Sequence, residues 1–266
     1  GRDVCEFIVM SRYEMWVAFQ TILRKEVRRY MRIWPQTLLP PAITMTLYFV
    51  IFGALIGSRI GLMGGFSYMQ FVVPGLIMMA VVTNSYSNIV SSFFGAKYNN
   101  SVQELLVSPV PNWIILAGFV TGSVSRGLLI AVIVTCLSLF FADLNVQHVG
   151  ATMLVVLMTA VLFSLFGFIN AVFARNFDDI SIVPTFILTP LIYLGGVFYS
   201  LDLLPEFWAN LSRLNPLVYV VNGFRYGVLG VSDVNVEFSL GMITIFTFIT
   251  FFYCLHLLDS GTRLRE

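Results

Sequence analysis

The side chains best placed to do chemistry in this chain are hydroxyls and amides that share a helix face. Asn84, Asn88, Ser91 and Gly95 recur at steps of three or four, and Ser181, Thr185, Thr189 and Tyr193 at steps of four. In an apolar setting such groups turn away from lipid and toward protein. They either hold helices together or line a translocation path, and the spacing leaves both readings open. A weak, neutral lining suits an amphipathic or apolar cargo better than an ion. Arg126 is the one charge that falls well inside a long apolar stretch. A charge there costs roughly 2.5–3.5 kcal/mol on insertion scales. It must therefore face other helices and meet carbonyls or an acid, as a structural anchor or as a contact for cargo or gate.

Catalytic chemistry finds no matching pattern. A P-loop needs a Gly-rich turn followed by Lys and Ser or Thr. Neither of the two lysines, Lys25 and Lys97, stands in one. There is no G-x-S-x-G and no H-E-x-x-H. His148 and His256 are isolated, and Cys5, Cys136 and Cys254 lie too far apart for a disulfide framework or a metal site. No enzyme activity, metal or cofactor is expected on this chain, and the net charge of +1 points to no nucleic-acid partner.

The elements that position these residues are set by where charge is missing. No Asp, Glu, Lys or Arg occurs between Arg32 and Arg59, nor in residues 60–96, 105–125, 144–174, 180–201 or 238–258. A helix crossing the bilayer core needs roughly 20 mainly apolar residues. With 58% hydrophobic residues, 11% charged residues and a mean hydropathy of +0.87, the composition agrees. The expected fold is an all-α membrane protein with six transmembrane helices at about 34–57, 68–95, 113–141, 149–173, 180–200 and 238–258. Eleven of the fifteen basic residues (Arg2, Arg12, Arg24, Lys25, Arg28, Arg29, Arg32, Lys97, Arg175, Arg263 and Arg265) fall on one side of this scheme. Only Arg59, Arg213 and Arg225 fall on the other. The positive-inside rule then puts both termini in the cytoplasm.

Three segments are not spans. Residues 16–33 place Phe19, Leu23, Val27 and Tyr30 on one stripe and Arg24, Arg28 and Arg32 on another. This predicts a basic amphipathic helix lying at the membrane boundary. In the loop after the second span, Ser101 and Glu104 have capping-box spacing, and Pro109 and Pro111 stop the helix they start. That short helix would carry Val102, Leu105 and Leu106 on one face, with Gln103 and Glu104 beside them. Residues 200–230 are too apolar for a solvated loop and too broken by Gly and Pro for one helix. Short re-entrant helices are expected, because irregular backbone at membrane depth must be satisfied by protein or a wet cavity. The domain scheme is an N-terminal extension and interfacial helix (1–33), a permease domain (34–258) and a tail (259–266).

The order and spacing of RIWPQTLLPPAITMTLYF (32–49), QFVVPGLIMM (70–79), QELLVSPVP (103–111), FDDISIVPTFILTPLIYLGGVFYSLDLLP (177–205) and LNPLVYVVNGFRYG (214–227) resemble the type 2 ABC exporter permeases. The resemblance covers about residues 15–260. Residues before Met15 lie ahead of it, and Met10 and Met15 are candidate starts. It implies an inner-membrane permease subunit that exports a substrate with ATP and Mg²⁺ bound on a separate ABC ATPase subunit. It also implies that Ser101, Val102, Gln103, Glu104, Leu105 and Leu106 form the coupling helix, and that the segment after Ile180 closes the exit. The polar faces described above make half of a central path, so the expected partners are a second copy, the ATPase and the lipid bilayer. The alternative is a secondary transporter without an ATPase. The lack of intramembrane Asp or Glu counts against it, because ion-coupled carriers hold ionisable residues at the midplane. The substrate is not set by these features.

Overall fold

The computed structural model describes residues 10–261 and 264. Arg2, Cys5, Arg263 and Arg265 lie outside the described residues. The fold is all-α: the described residues hold no strand, only an isolated bridge between Met63 and Phe66.

Helix α1 spans Arg12–Arg32. Ser11 caps it, its hydroxyl accepting from Glu14 N (3.3 Å) while Ser11 N donates to Glu14 Oε2 (2.7 Å). These bonds, the one from the Ser11 backbone foremost, hold the Glu14 carboxyl below its ordinary range. The helix therefore starts a turn earlier than the periodicity suggested. It also does more than rest at a boundary. Ile22 fits against Gly118, Glu26 against Gly122, and Tyr30 bonds Ser125 across 3.1 Å. These matched steps of three or four dock α1 lengthwise on α6.

The first candidate span, Trp34–Arg59, is wound in pieces. Helix α2 (Trp34–Thr37) and α3 (Leu39–Tyr48) are separated near Pro40 and Pro41, and α3 loosens into a π-helical stretch, Phe49–Ile56. Proline removes a backbone donor, which explains the break. Few of its side chains are buried, so it stands at the periphery. Helix α4 (Tyr68–Tyr98) is the opposite. Most of its side chains are buried, and it packs on α6 (Asn112–Ser138) and α7 (Val149–Phe173). Close approach is possible because Gly167 has no side chain: a Cβ there would stand 2.7 Å from the Tyr86 carbonyl oxygen. Helix α5 (Ser101–Val107) links α4 to α6, and α12 (Val236–Ser260) leans on α7.

Among the described residues, five helices are long and apolar enough to span a membrane. The fifth expected span is shorter. It runs Asp179–Tyr193 as α8 (Asp179–Val183), a π-helical stretch (Pro184–Leu188) and α9 (Thr189–Tyr193). At about 1.5 Å per residue it rises some 22 Å, against a core of about 30 Å. Leu194–Gly196 ends it, with Gly196 at φ +74, a left-handed value that other residues rarely adopt. The chain then forms α10 (Glu206–Arg213) and α11 (Pro216–Leu229).

Candidate coupling and transport sites

Arg126 is not isolated. Its Nη2 donates to the Thr37 carbonyl (3.1 Å) and Asn84 Oδ1 (3.2 Å), and its Nη1 to Asn88 Oδ1 (3.4 Å). Arg29 from α1 reaches the same amide, donating to Asn88 Oδ1 (2.8 Å) and Asn88 O (3.1 Å), with Ser91 Oγ at 3.4 Å. Asn88 in turn donates to Ser123 Oγ at 2.9 Å. Glu26 lies 3.5 Å from Arg29 Nε and accepts from the Ser92 hydroxyl. Asn84 and Asn88 are thus buried inside the protomer as braces between α1, α4 and α6. Glu26 lies in this basic helix and is only 1% exposed. Its signal was faint: Ile22, Glu26 and Tyr30 share one face, opposite Gly118 and Gly122, which leave room for them.

The second polar face sits differently. Ser181, Thr185, Thr189 and Tyr193 are all exposed on the short fifth helix. Thr189 Oγ1 donates to the Pro184 carbonyl (2.8 Å), and the Tyr193 hydroxyl meets that of Tyr48 (3.3 Å). The two faces do not converge within one protomer: α4 turns its amides inward, and the fifth helix turns its hydroxyls outward.

Helix α5 is seated rather than dangling. Ser101 Oγ donates to the Ala96 carbonyl (3.0 Å), and Val102 is 2% exposed against the core. Leu105 and Leu106 are half-buried on the same cluster. The expected outward apolar face is therefore turned inward for Val102, because a water-exposed helix this short gains most by burying its valine. Facing out are Gln103, Glu104 and Val107, the last 85% exposed. Lys97 ties the base of this unit to the end of α7, donating to the carbonyls of Val172 (2.6 Å) and Ala174 (2.9 Å). Cations suit a helix C-terminus, where carbonyls are unpaired.

At the far end, Arg225 departs most from expectation. It was counted among the basic residues of the outer side, yet on α11 it is fully buried. Its Nη2 donates to the Gly196 carbonyl (2.8 Å) and its Nε to the Phe71 carbonyl (3.3 Å), with the guanidinium 3.9 Å over the Phe71 ring. Asp233 closes the same connection, accepting from Leu201 N at 2.8 Å and donating its own N–H to Asn222 Oδ1 at 3.0 Å. Among the described residues no cluster of His, Cys, Asp and Glu could hold a metal ion.

The ABC-2 type transporter model matches residues 17–229. This chain belongs to the ABC-2 type transporter family. It is 58% identical over 251 residues to the inner membrane transport permease YadH of Escherichia coli strain K12, covering 94% of this chain and 98% of that one. More distant relatives are nodulation protein J of Rhizobium leguminosarum bv. viciae (23% over 209 residues, 77% and 80% of the two chains) and of Neorhizobium galegae (20% over 244 residues, 91% and 92%). As an ABC-2 protein it is the membrane subunit of an ABC transporter. The match runs from α1 through α11, so the Arg126 cluster, α5 and Arg225 all fall inside the ABC-2 region.

Proposed function

We propose that this chain is the permease half of an ATP-driven exporter of an inner membrane, working as two copies with two ABC ATPase subunits that carry ATP and Mg²⁺. The observation that carries the reading is the seating of α5. A push on Glu104 or Val107 moves Val102, and through Val102 and Lys97 it moves the ends of α4 and α7. Because α4 is the most buried of the long spans, that displacement reaches α6 and α11 without a flexible joint. The Arg126 network adds stiffness where α1 meets α4 and α6.

The six-span scheme with cytoplasmic termini is retained, with a short fifth span and α10–α11 as re-entrant helices. Burial of Arg225 takes it out of the loop count, leaving Arg59 and Arg213 as the basic residues opposite the eleven. That strengthens the bias behind the orientation. The exposed hydroxyl face of the fifth helix favours a twofold partner across it, with Ser181, Thr185, Thr189 and Tyr193 lining the path between copies. Asn84, Asn88 and Ser91 support that path from behind.

The coupling role is tested by Val107→Asp, which changes the outward face and spares the seat. It should lower recovery of the co-purified ATPase tenfold or more, the weight of about 1.4 kcal/mol, with unchanged permease melting. Wild-type ATPase recovery and transport would overturn the role. The paired variant Leu105→Ala with Leu106→Ala loosens the seat itself, and should uncouple ATP hydrolysis from transport. For orientation, a cysteine at Ser232 should react with an impermeant reagent added from outside and one at Asn100 should not; the reverse pattern rejects the scheme.

A further inference from the structure

A cavity of about 370 Å³ lies between α4, α7 and the short fifth helix. It is a slot. It runs from Phe173 and Val183 at one end to Leu191 and Leu217 at the other, and its α7 wall alone extends from Phe163 to Phe173. Ten residues of helix rise about 15 Å. The slot exists because the proline-interrupted fifth helix meets α7 chiefly at its first turn, through α8, and stands off beyond it. No charged residue lines it. Its polar groups are Tyr86 and Asn170. Tyr86 is 2% exposed, and its buried hydroxyl has no hydrogen-bond partner among the described residues. Asn170 is near it, yet no hydrogen bond between the two meets ordinary geometry, and Asn170 Nδ2 is committed to the Ile180 carbonyl at 3.2 Å. A buried hydroxyl left unpaired is costly, so a native protein normally satisfies it.

We infer that this slot is a binding site for a neutral, single-chain amphiphile, its hydrocarbon chain lying along α7 and its uncharged oxygen pairing with the Tyr86 hydroxyl. Three features select that class. The slot is long and narrow, as an extended aliphatic chain is. Its walls are aliphatic and aromatic, typical of a pre-formed ligand pocket with few polar groups. A phosphate or ammonium head would find no counter-charge in the lining and would have to be desolvated. The site stands independently of the ATPase partnership, because binding to the resting permease needs no nucleotide.

The test uses the full chain in lipid nanodiscs and three photoactivatable C16 probes: a diazirine-bearing hexadecanol, the matching alkane and the matching alkyl phosphate. The alcohol should label α7 and fifth-helix residues of the slot, identified by peptide mass spectrometry, and the phosphate should not. Tyr86→Phe should reduce alcohol labelling roughly three- to tenfold, the weight of one hydrogen bond, and leave alkane labelling unchanged. Val183→Trp, which fills one end, should suppress both. Labelling spread evenly over the exposed helix faces and indifferent to both variants would overturn the site, as would equal labelling by the phosphate. Adding the ATPase and ATP separates two sources of the ligand. Loss of label during turnover marks exported cargo, and persistence marks a resident bilayer lipid; both outcomes keep the site. Failure to assemble with an ATPase would count against the exporter reading alone.

Discussion

Arg225 is fully buried and Arg126 half-buried, and their surroundings differ. Arg126 sits among side chains: two asparagine amides, with Arg29 and Glu26 in the same network, and one backbone carbonyl. Arg225 sits among fixed groups: two backbone carbonyls and the face of a phenylalanine. Neither makes a salt bridge to an acid. Side-chain partners can change rotamer and trade bonds, so the Arg126 cluster can adjust while α1, α4 and α6 shift. Backbone partners cannot move without moving the chain. Arg225 therefore clamps α11 and the Gly196 turn to the start of α4. The contacts of Arg126 are mostly with side chains, and those of Arg225 are with backbone carbonyls and a ring.

The largest effect should come from breaking the clamp. Arg225→Ala leaves two carbonyls short of a donor and a cavity beside Phe71, and should cost roughly 3–5 kcal/mol, as when one member of a buried charged contact is removed. Detergent-solubilised melting and proteolysis of the Leu201–Leu229 region report it. Arg225→Lys should not rescue, because one ammonium cannot reach both carbonyls and stack on the ring. If Lys restores wild-type melting, the clamp is not geometric.

A smaller effect is expected at the other arginine, with a distinct signature. Arg126→Leu and Asn88→Leu should each destabilise by about 1–3 kcal/mol, the range for unpairing a buried polar group. Their effects should be non-additive by about 0.5–3 kcal/mol, because both remove parts of one network. Arg126→Leu with Arg225→Leu should instead be additive. Additivity in the first pair would show that the Arg126 contacts act singly.

The smallest effect belongs to neither cluster and serves as a baseline. Ser11→Ala removes the cap of α1 and should cost about 0.5–2 kcal/mol. Part of this cap depends on the Glu14 carboxylate. Its pKa in the folded protein is depressed, so its contribution is present above the unfolded value and fades as pH falls through the folded one. The Ser11→Ala penalty should therefore shrink in acid, below the ordinary carboxylate range. A penalty that does not vary with pH would remove Glu14 from the cap.

Several elements could be read from the chain alone. Gaps between charges marked the five long helices, because lipid cannot solvate charge and composition alone enforces that. Helix α5 falls where its residues put it, Ser101–Val107, but the Ser101–Glu104 capping box does not form: Asn100 is the N-cap and makes no side-chain cap hydrogen bond. The family resemblance rested on motif order, which is linear. What the chain could not disclose was facing. A helix that is apolar all round gives no periodicity to say which side is inward, and α4, α6 and α12 are of that kind. So the sequence did not show that Asn84 and Asn88 bond Arg126 and Arg29 inside the protomer, that Val102 packs on the core, or that Arg225 is buried. Glu26 has basic neighbours in sequence, and Gly122 on another helix makes room to bury it. Contacts distant in sequence decided these outcomes, such as Asn88 with Ser123, 35 positions apart, and Arg225 with Phe71, 154 apart. Hydrophobicity sets which segments enter the membrane; pairing of the few polar groups left inside it sets how they are turned.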